Sequence, residues 1–586
     1  MISTEDFQQI ECGIKPRFRC TRCCLRSKAT IVILVWSLIV AIGFESFLDP
    51  SYLTSISGQY DGSDILTLSG VAHGISAFLL LFYPLAGCLA DIRWGRHKTI
   101  VNSLCFIYWS LVSIVVIGVL VFIGVSPIIS TTDELKPLQI ATIVVLSLVF
   151  GPAIAFGVLF IVFSLVAFNA NVIQFGTDHL HDAPTDDTML YIHWYVWTSY
   201  VGLIPMKMGF DFMDEVFFMC SPGLLLLALP FLAVTLCIQQ YKRHWFLIDS
   251  ASKNPYKLVY KVAKFAMNHN NPIHRSAFTY CEDELPSRLD LGKEKYGGPF
   301  TTEEVEDVKV FLGILRVLLT LGPILMVDIA VSGILQRFAV HIDVTILDNL
   351  GLITIKGFLT QGVGLTPVLI AIFIPLYLCL LRPFIHNYIP GMLKRIGLGM
   401  IFILLSALCT LSLDIYGHVH AKITSCFLSD DPVNDLNSDI TLNISPYYLI
   451  IQYSLNAIGY LLLYTATYEF ICAQSPQAMK GLIIGTFFAI KGIFQLFGVA
   501  VIFASFTDWN LAHSFPSCGF VYYLINVVIA FAGIVAYTWV ARRYQYRQRD
   551  EPDNIYRYAE EYYANAQDEP NYDYDDYDNL NVQTIS

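Results

Sequence analysis

Apolar runs close to 20 residues long recur along the chain, separated by short polar segments. A run of that length crosses a hydrocarbon layer of about 30 Å as one helix, which satisfies its own backbone hydrogen bonds where no water is present. Twelve spans are expected, near 29–47, 66–90, 99–124, 150–175, 189–210, 217–239, 312–336, 363–384, 396–416, 447–471, 480–504 and 519–541. Around the fourth, apolar sequence begins near 138 and is broken only at Gly151-Pro152, so the pattern alone allows one long helix or two.

Composition agrees with a membrane chain. Hydrophobic residues make up 55% and charged residues 14%, against about 25% charged in a soluble domain. Basic residues cluster before the first span (Lys15, Arg17, Arg19, Arg22, Arg26, Lys28) and in the second-to-third loop (Arg93, Arg96, Lys98). They recur after span six, in the eighth-to-ninth loop (Arg382, Lys394, Arg395) and after span twelve. By the positive-inside rule both termini and the central loop are expected on the cytoplasmic side. The polar N-terminus and the full-length first run argue against a cleaved signal peptide.

The expected organisation is a basic N-terminus (1–28), a six-helix half (29–239), a central loop (240–311), a second six-helix half (312–541) and a tail (542–586). The central loop ends with Thr301 and Glu304 spaced as a capping box, which predicts a helix running into span seven. Between Asp550 and Ser586 eleven acidic residues face one arginine, so ten of the twelve net negative charges lie in this tyrosine-rich, aliphatic-poor tail. Such a segment is expected to be disordered. Its Tyr577-Asp578-Asn579-Leu580 is similar to an endocytic sorting signal, which would make sorting or phosphotyrosine-binding adaptors partners of the tail.

Fourteen cysteines are present, and only Cys426 and Cys518 fall in loops expected to face the oxidising side, which makes them the disulfide candidate. Cys20, Cys23 and Cys24 sit in basic sequence beside span one, where acylation or inert thiols are the readings set against a weak metal motif. Asn443-Ile444-Ser445 is a glycosylation sequon followed by Pro446. Neither a Walker loop nor a G-x-G-x-x-G in strand–helix context is present, so no nucleotide site is expected, and no metal or cofactor beyond a coupling proton.

Chemistry concentrates in a few charges inside apolar sequence. Glu469 stands in Glu469-Phe470-Ile471-Cys472-Ala473-Gln474-Ser475-Pro476-Gln477-Ala478-Met479-Lys480, and a carboxylate held in a span usually faces a cavity or a partner. Lys491 lies in the middle of span eleven, under the same constraint. His73 in span two carries an imidazole that titrates near physiological pH.

The stretch at Glu469 resembles the E-F-x-x-x-Q-x-P-x-x-M-K pattern of the proton-coupled oligopeptide transporter family, a branch of the major facilitator superfamily. Gly87-Cys88-Leu89-Ala90-Asp91-Ile92-Arg93-Trp94-Gly95-Arg96 resembles the superfamily's signature loop, in which Gly87, Asp91, Gly95 and Arg96 would form a gate latch. Phe175-Gly176-Thr177-Asp178, Tyr191-Ile192-His193-Trp194-Tyr195, Asp328 with Ser332 and Gln336, and Leu393-Lys394-Arg395 are similar to further family patterns. The resemblance implies an all-α membrane protein of major facilitator fold, twelve helices in two six-helix halves, and no enzyme.

Two departures bear on substrate. The first-span pattern E-x-x-E-R-F-x-Y-Y is matched only by Glu45 and Phe47, and Asn169 stands where the family carries a fourth-span lysine. On this reading the chain carries small peptides by alternating access with a degraded coupling motif. Glu469, Lys491, Asn169 and Tyr195 are the substrate-binding candidates, with the substrate amine at Glu469, and Lys491 serves either to neutralise Glu469 or to bind the substrate carboxylate. Glu45, His73 and Asp328 are the proton-coupling candidates. The alternatives are an uncoupled carrier of histidine, other amino acids, organic anions or nitrate, and a membrane scaffold signalling through its tail. The membrane is expected to be the plasma membrane or an endosomal or lysosomal one.

Overall fold

The computed structural model describes residues 27–42, 73–129, 137–180, 185–212, 216–246, 254–269, 287–328, 365–385, 388–421, 447–476, 479–507 and 519–546. Glu45, Cys426, Cys518, the N-terminal cysteines, the sequon and the tail motif lie outside them. The chain divides into one unit up to Tyr544 and a second, Gln545–Ser586, of which only Gln545 and Tyr546 are described.

Long helices follow one another through the described residues. The first half holds α1 (Lys28–Val40), α2 (His73–Trp94), α3 (Arg96–Ile129), α4 (Pro137–Asp178), α5 (Thr185–Phe212) and α6 (Val216–Tyr241). A shorter helix, α7 (Pro255–Asn268), precedes the second half: α8 (Thr302–Asp328), α9 (Thr366–Leu381), α10 (Met392–Ala421), α11 (Tyr447–Gln474), α12 (Lys480–Thr507) and α13 (Gly519–Ala541). Seven of these, on described residues alone, are long and apolar enough to cross a membrane. The apolar run around Pro152 is a single helix of 42 residues, α4, so the fourth span is not split. A proline inside a membrane helix is tolerated because neighbouring groups take up the freed carbonyl.

Local chemistry sets the element ends. Thr301 accepts a hydrogen bond from the Glu304 amide at 3.2 Å while the Glu304 carboxylate accepts one from the Thr301 amide, the capping box expected from sequence. The last turn of α2, Ala90–Trp94, widens to a π-helical turn and stops at Gly95, whose φ of 77° is the left-handed value that glycine adopts without strain. In α7, Val262 and Ala266 are buried while Lys257, Lys261 and Lys264 are exposed, and the Tyr256 hydroxyl donates to the Pro84 carbonyl of α2 at 2.8 Å.

The two halves meet closely where α2 faces α12. A Cβ placed on Gly485 would lie 2.6 Å from the Pro84 Cα, and one on Gly492 the same distance from the Ala77 carbonyl oxygen. Small residues let membrane helices bring their backbones together in this way. Gly485→Ala is therefore expected to destabilise the folded protein by about 1–3 kcal/mol, the usual cost of overpacking. Thermal unfolding in detergent checks this against Gly391→Ala, whose added methyl meets no atom within 4 Å and should leave the transition unmoved.

Ahead of α8, Asp290 receives hydrogen bonds from the Lys309 ammonium at 2.5 Å and from the Ser287 hydroxyl at 2.6 Å, and pairs with Lys293 at 2.6 Å. Burial alone would push the Asp290 carboxyl up, but the bonds from Lys293, Lys309 and Ser287 outweigh it and hold it well below the usual carboxylate range. A depressed carboxyl contributes stability above its unfolded value, near 4, and loses it as pH falls through the folded one. Hydrogen exchange of the 287–300 amides is expected to stay slow at pH 5 and to speed up, relative to intrinsic rates, only in strong acid. In Asp290→Asn the protection should already be absent at pH 5.

Candidate functional site

Charged side chains gather in two layers along the helices. The first lies at the signature loop. Arg96, just past the Gly95 turn, donates from Nε to Asp91 Oδ1 at 3.0 Å and from a terminal nitrogen to Asp178, the last residue of α4. Asp178 also accepts from the Nζ of Lys480, the first residue of α12, at 2.9 Å. One carboxylate thus holds a cation from each half. All four side chains are at least 89% buried, where ions persist only when paired. Gly481 follows Lys480, and its backbone amide reaches the Asp91 carboxylate.

A second clasp joins the halves on the other flank. Arg382, just beyond α9, bonds Asp186 in the first turn of α5 at 2.8 Å. Above it the His193 ring stacks on Tyr377 of α9 at 5.4 Å, with its Nδ1 on the Met189 carbonyl, and the Trp197 indole donates to the Ala371 carbonyl at 3.0 Å.

Glu469 is paired within the second half. Its Oε1 accepts from Arg395, near the start of α10, at 2.8 Å, and Arg395 also donates to the Pro390 carbonyl. The partner shown for Glu469 is thus Arg395, a residue to which the sequence reading gave no such role.

The second layer sits deeper. Tyr460 precedes Glu469 by nine residues and Lys491 follows Lys480 by eleven, which along a helix is about 14 Å and 16 Å of rise. Here the Tyr460 hydroxyl donates to Asp328 at the end of the described part of α8. The Lys491 ammonium lies 4.8 Å from the centre of the Tyr464 ring and within electrostatic reach of Asp328. Tyr460, Tyr464 and Tyr468 repeat every fourth residue, so they share one face of α11. Tyr200 of α5 stacks on Tyr460 at 6.4 Å, and Tyr195 meets Tyr468 edge-on at 6.0 Å. Tyr83 of α2 packs on Phe488 of α12 at 4.5 Å. Among the described residues, the result is an aromatic-walled layer between the halves that contains one acid, Asp328, and one base, Lys491.

Of the sequence candidates, Asp328 and Lys491 come together in this deeper layer, Tyr195 lies against Tyr468 beside Glu469, and Asp91, Gly95 and Arg96 meet in the gate. Asn169 is half-buried in α4, and His73 opens the described part of α2, where its carbonyl accepts from the Ser76 hydroxyl at 2.9 Å. Sequence reasoning missed the roles of Asp178, Lys480, Arg395 and Tyr460. The four-residue tyrosine spacing was a readable signal for the last. The others stood inside quoted motifs without an assigned partner.

Comparison with known proteins agrees with this architecture. The model of the POT family matches residues 111–513. Solute carrier family 15 member 3 of Mus musculus is 23% identical over 570 residues, covering 90% of this chain and 93% of its own, and its Rattus norvegicus counterpart is similar at the same identity. Among solved structures, an auto-inhibited POT family peptide transporter superposes with a TM-score of 0.60 at 13% identity, covering 90% of this chain and 99% of its own. The POT family transporter PepTSo does so at 0.57 and 14%, covering 88% and 98%. The chain therefore belongs to the POT family: it is a multi-pass membrane protein of major facilitator fold and of the peptide-transporter class, not an enzyme.

Proposed function

We propose that the protein carries di- and tripeptides by alternating access, coupled to protons, with the deeper layer as its substrate site. The observation that carries this reading is an acid and a base, Asp328 and Lys491, within electrostatic reach of each other among aromatic side chains of both halves. A zwitterionic substrate needs an acid for its amine and a base for its carboxylate, and both are present at the depth where carriers of this fold bind. Asp328 takes the amine, Lys491 the carboxylate, and Tyr195, Tyr200 and Tyr468 the side chains. The lysine stands in for the first-span arginine and fourth-span lysine that this chain lacks.

The coupling proton is carried by a group other than Asp328, because a carboxylate that holds the substrate amine cannot carry a symported proton at the same time. His73 of α2 and Glu45 are the remaining candidates. The signature-loop end, cytoplasmic by charge bias, is closed by Arg96, Asp178 and Lys480, and opening must draw Lys480 away from Asp178. The competing reading is an uncoupled carrier of amino acids or organic anions, favoured by the loss of the first-span acid and arginine.

Uptake of a labelled dipeptide into proteoliposomes, with and without an inward proton gradient, tests the assignment. Wild type should accumulate peptide only with the gradient. Asp328→Asn should weaken peptide binding and so lose accumulation and peptide-for-peptide exchange together, whereas His73→Gln should lose accumulation and keep exchange. Lys491→Gln should raise KM by roughly tenfold to a hundredfold, the worth of a hydrogen bond to a charged group. No dipeptide uptake by folded protein would end the peptide reading and send the search to amino acids and organic anions. Uptake indifferent to the gradient would end the coupling.

The gate is tested separately. Cys472 is buried and interacts with Thr177, Asp178 and Lys480. In a variant that keeps Cys472 as its only cysteine, Asp178→Asn should speed maleimide labelling by roughly 5- to 150-fold, the span of a typical conformational coupling. Unchanged labelling would mean that the network does not hold the gate.

A further inference from the structure

At the ends of α1 and α6, two lysines converge on one indole. The Lys28 ammonium lies 5.3 Å from the centre of the Trp245 ring and the Lys242 ammonium 5.7 Å from it. Lys242 also lies 4.5 Å from the Tyr241 ring. Among the described residues neither ammonium has a carboxylate at ion-pair distance. Each ammonium is held there by aromatic rings, and cation–π attraction at an exposed site is weak.

The site is held in shape by what lies beneath it. The turn Arg243–Trp245 is closed by the Trp245 amide donating to the Lys242 carbonyl at 2.9 Å. The next residue, Phe246, is buried and stacks on Trp36 at 5.5 Å and on Phe175 at 6.5 Å. Trp245 is therefore fixed to the body of the first half rather than carried on a free loop.

Apolar stripes lead up to the two lysines. Phe231, Val234, Ile238 and Tyr241 are exposed along one face of α6, and Ile31 and Val35 along α1. On a membrane-spanning helix such a face meets acyl chains, and the lysines at its end stand at headgroup level.

We propose that Lys28, Lys242 and Trp245 form a binding site for an anionic phospholipid. Its phosphate bridges the two ammonium groups over the indole, and its acyl chains lie along α6 and α1. The chemistry would suit any phosphate anion, and the apolar stripes select the lipid.

Native mass spectrometry of the full-length protein in detergent, titrated with phosphatidylglycerol, phosphatidylcholine or inorganic phosphate, tests this. Phosphatidylglycerol should bind in preference to phosphatidylcholine, and inorganic phosphate should not displace it. Lys28→Gln with Lys242→Gln should weaken phosphatidylglycerol binding roughly thirtyfold, from the usual contribution of two lysines near an anionic surface. Lys28→Arg with Lys242→Arg should restore it. Lys261→Gln with Lys264→Gln, on the exposed face of α7, should leave it unchanged. Equal binding by the first variant, equal loss in the α7 variant, or equal affinity for both lipids would overturn the site. Displacement by inorganic phosphate would reassign it to a free anion.

Discussion

Asp178 is the carboxylate on which the closed conformation depends. It sits at the end of α4, in the first half, and receives Arg96 from its own half and Lys480 from the other. In a buried setting the removal of either cation leaves an uncompensated charge, which costs far more than an exposed ion pair contributes. The network therefore behaves as a two-state element: intact with the halves together, or hydrated with them apart. The close backbone approach of α12 to α2 at Gly485 reinforces the first state, because it leaves no room for water between the helices.

A fixed gate at one end changes the meaning of the layer above it. Asp328 with Tyr460 and Lys491 with Tyr464 lie some three turns deeper, between helices of both halves. Their environment is aromatic, which keeps the charges interacting strongly while still offering ring faces to a substrate ammonium. Arg395 and Glu469 lie between that layer and the gate and tie α10 to α11 within the second half. The contacts across the halves shown at Lys480 and Arg382 are the ones an alternating-access opening would have to break.

Much of the fold was legible in the residues, for a physical reason. A membrane helix must be apolar over its whole length, so the spans declare themselves, and the Gly95 turn follows from a backbone value that only glycine takes easily. The α4 run was ambiguous because Pro152 can end a soluble helix yet be carried inside a membrane one. Depth was the quantity that linear sequence hid. Glu469 stood out because a carboxylate in apolar sequence signals a cavity or a partner, and only the fold supplies Arg395 as a partner. Lys491 raised the same question and received a different answer, since its neighbours are Tyr464 and Asp328.

On the proposed reading, with Asp328 as the acid that meets the substrate amine, this chain can dispense with its family's first-span charges. If the substrate carboxylate is met by a lysine on α12 and its amine by an aspartate on α8, both poles of the site belong to the second half. The first half then supplies walls, Tyr83, Tyr195 and Tyr200, rather than charges. Substrate would bind one half by its ends and meet the other by its side chains, so that the halves separate over aromatic surface without breaking an ion pair to the substrate. Such a site needs no arginine in the first span, and a lost motif there follows from the relocated charges rather than from lost function.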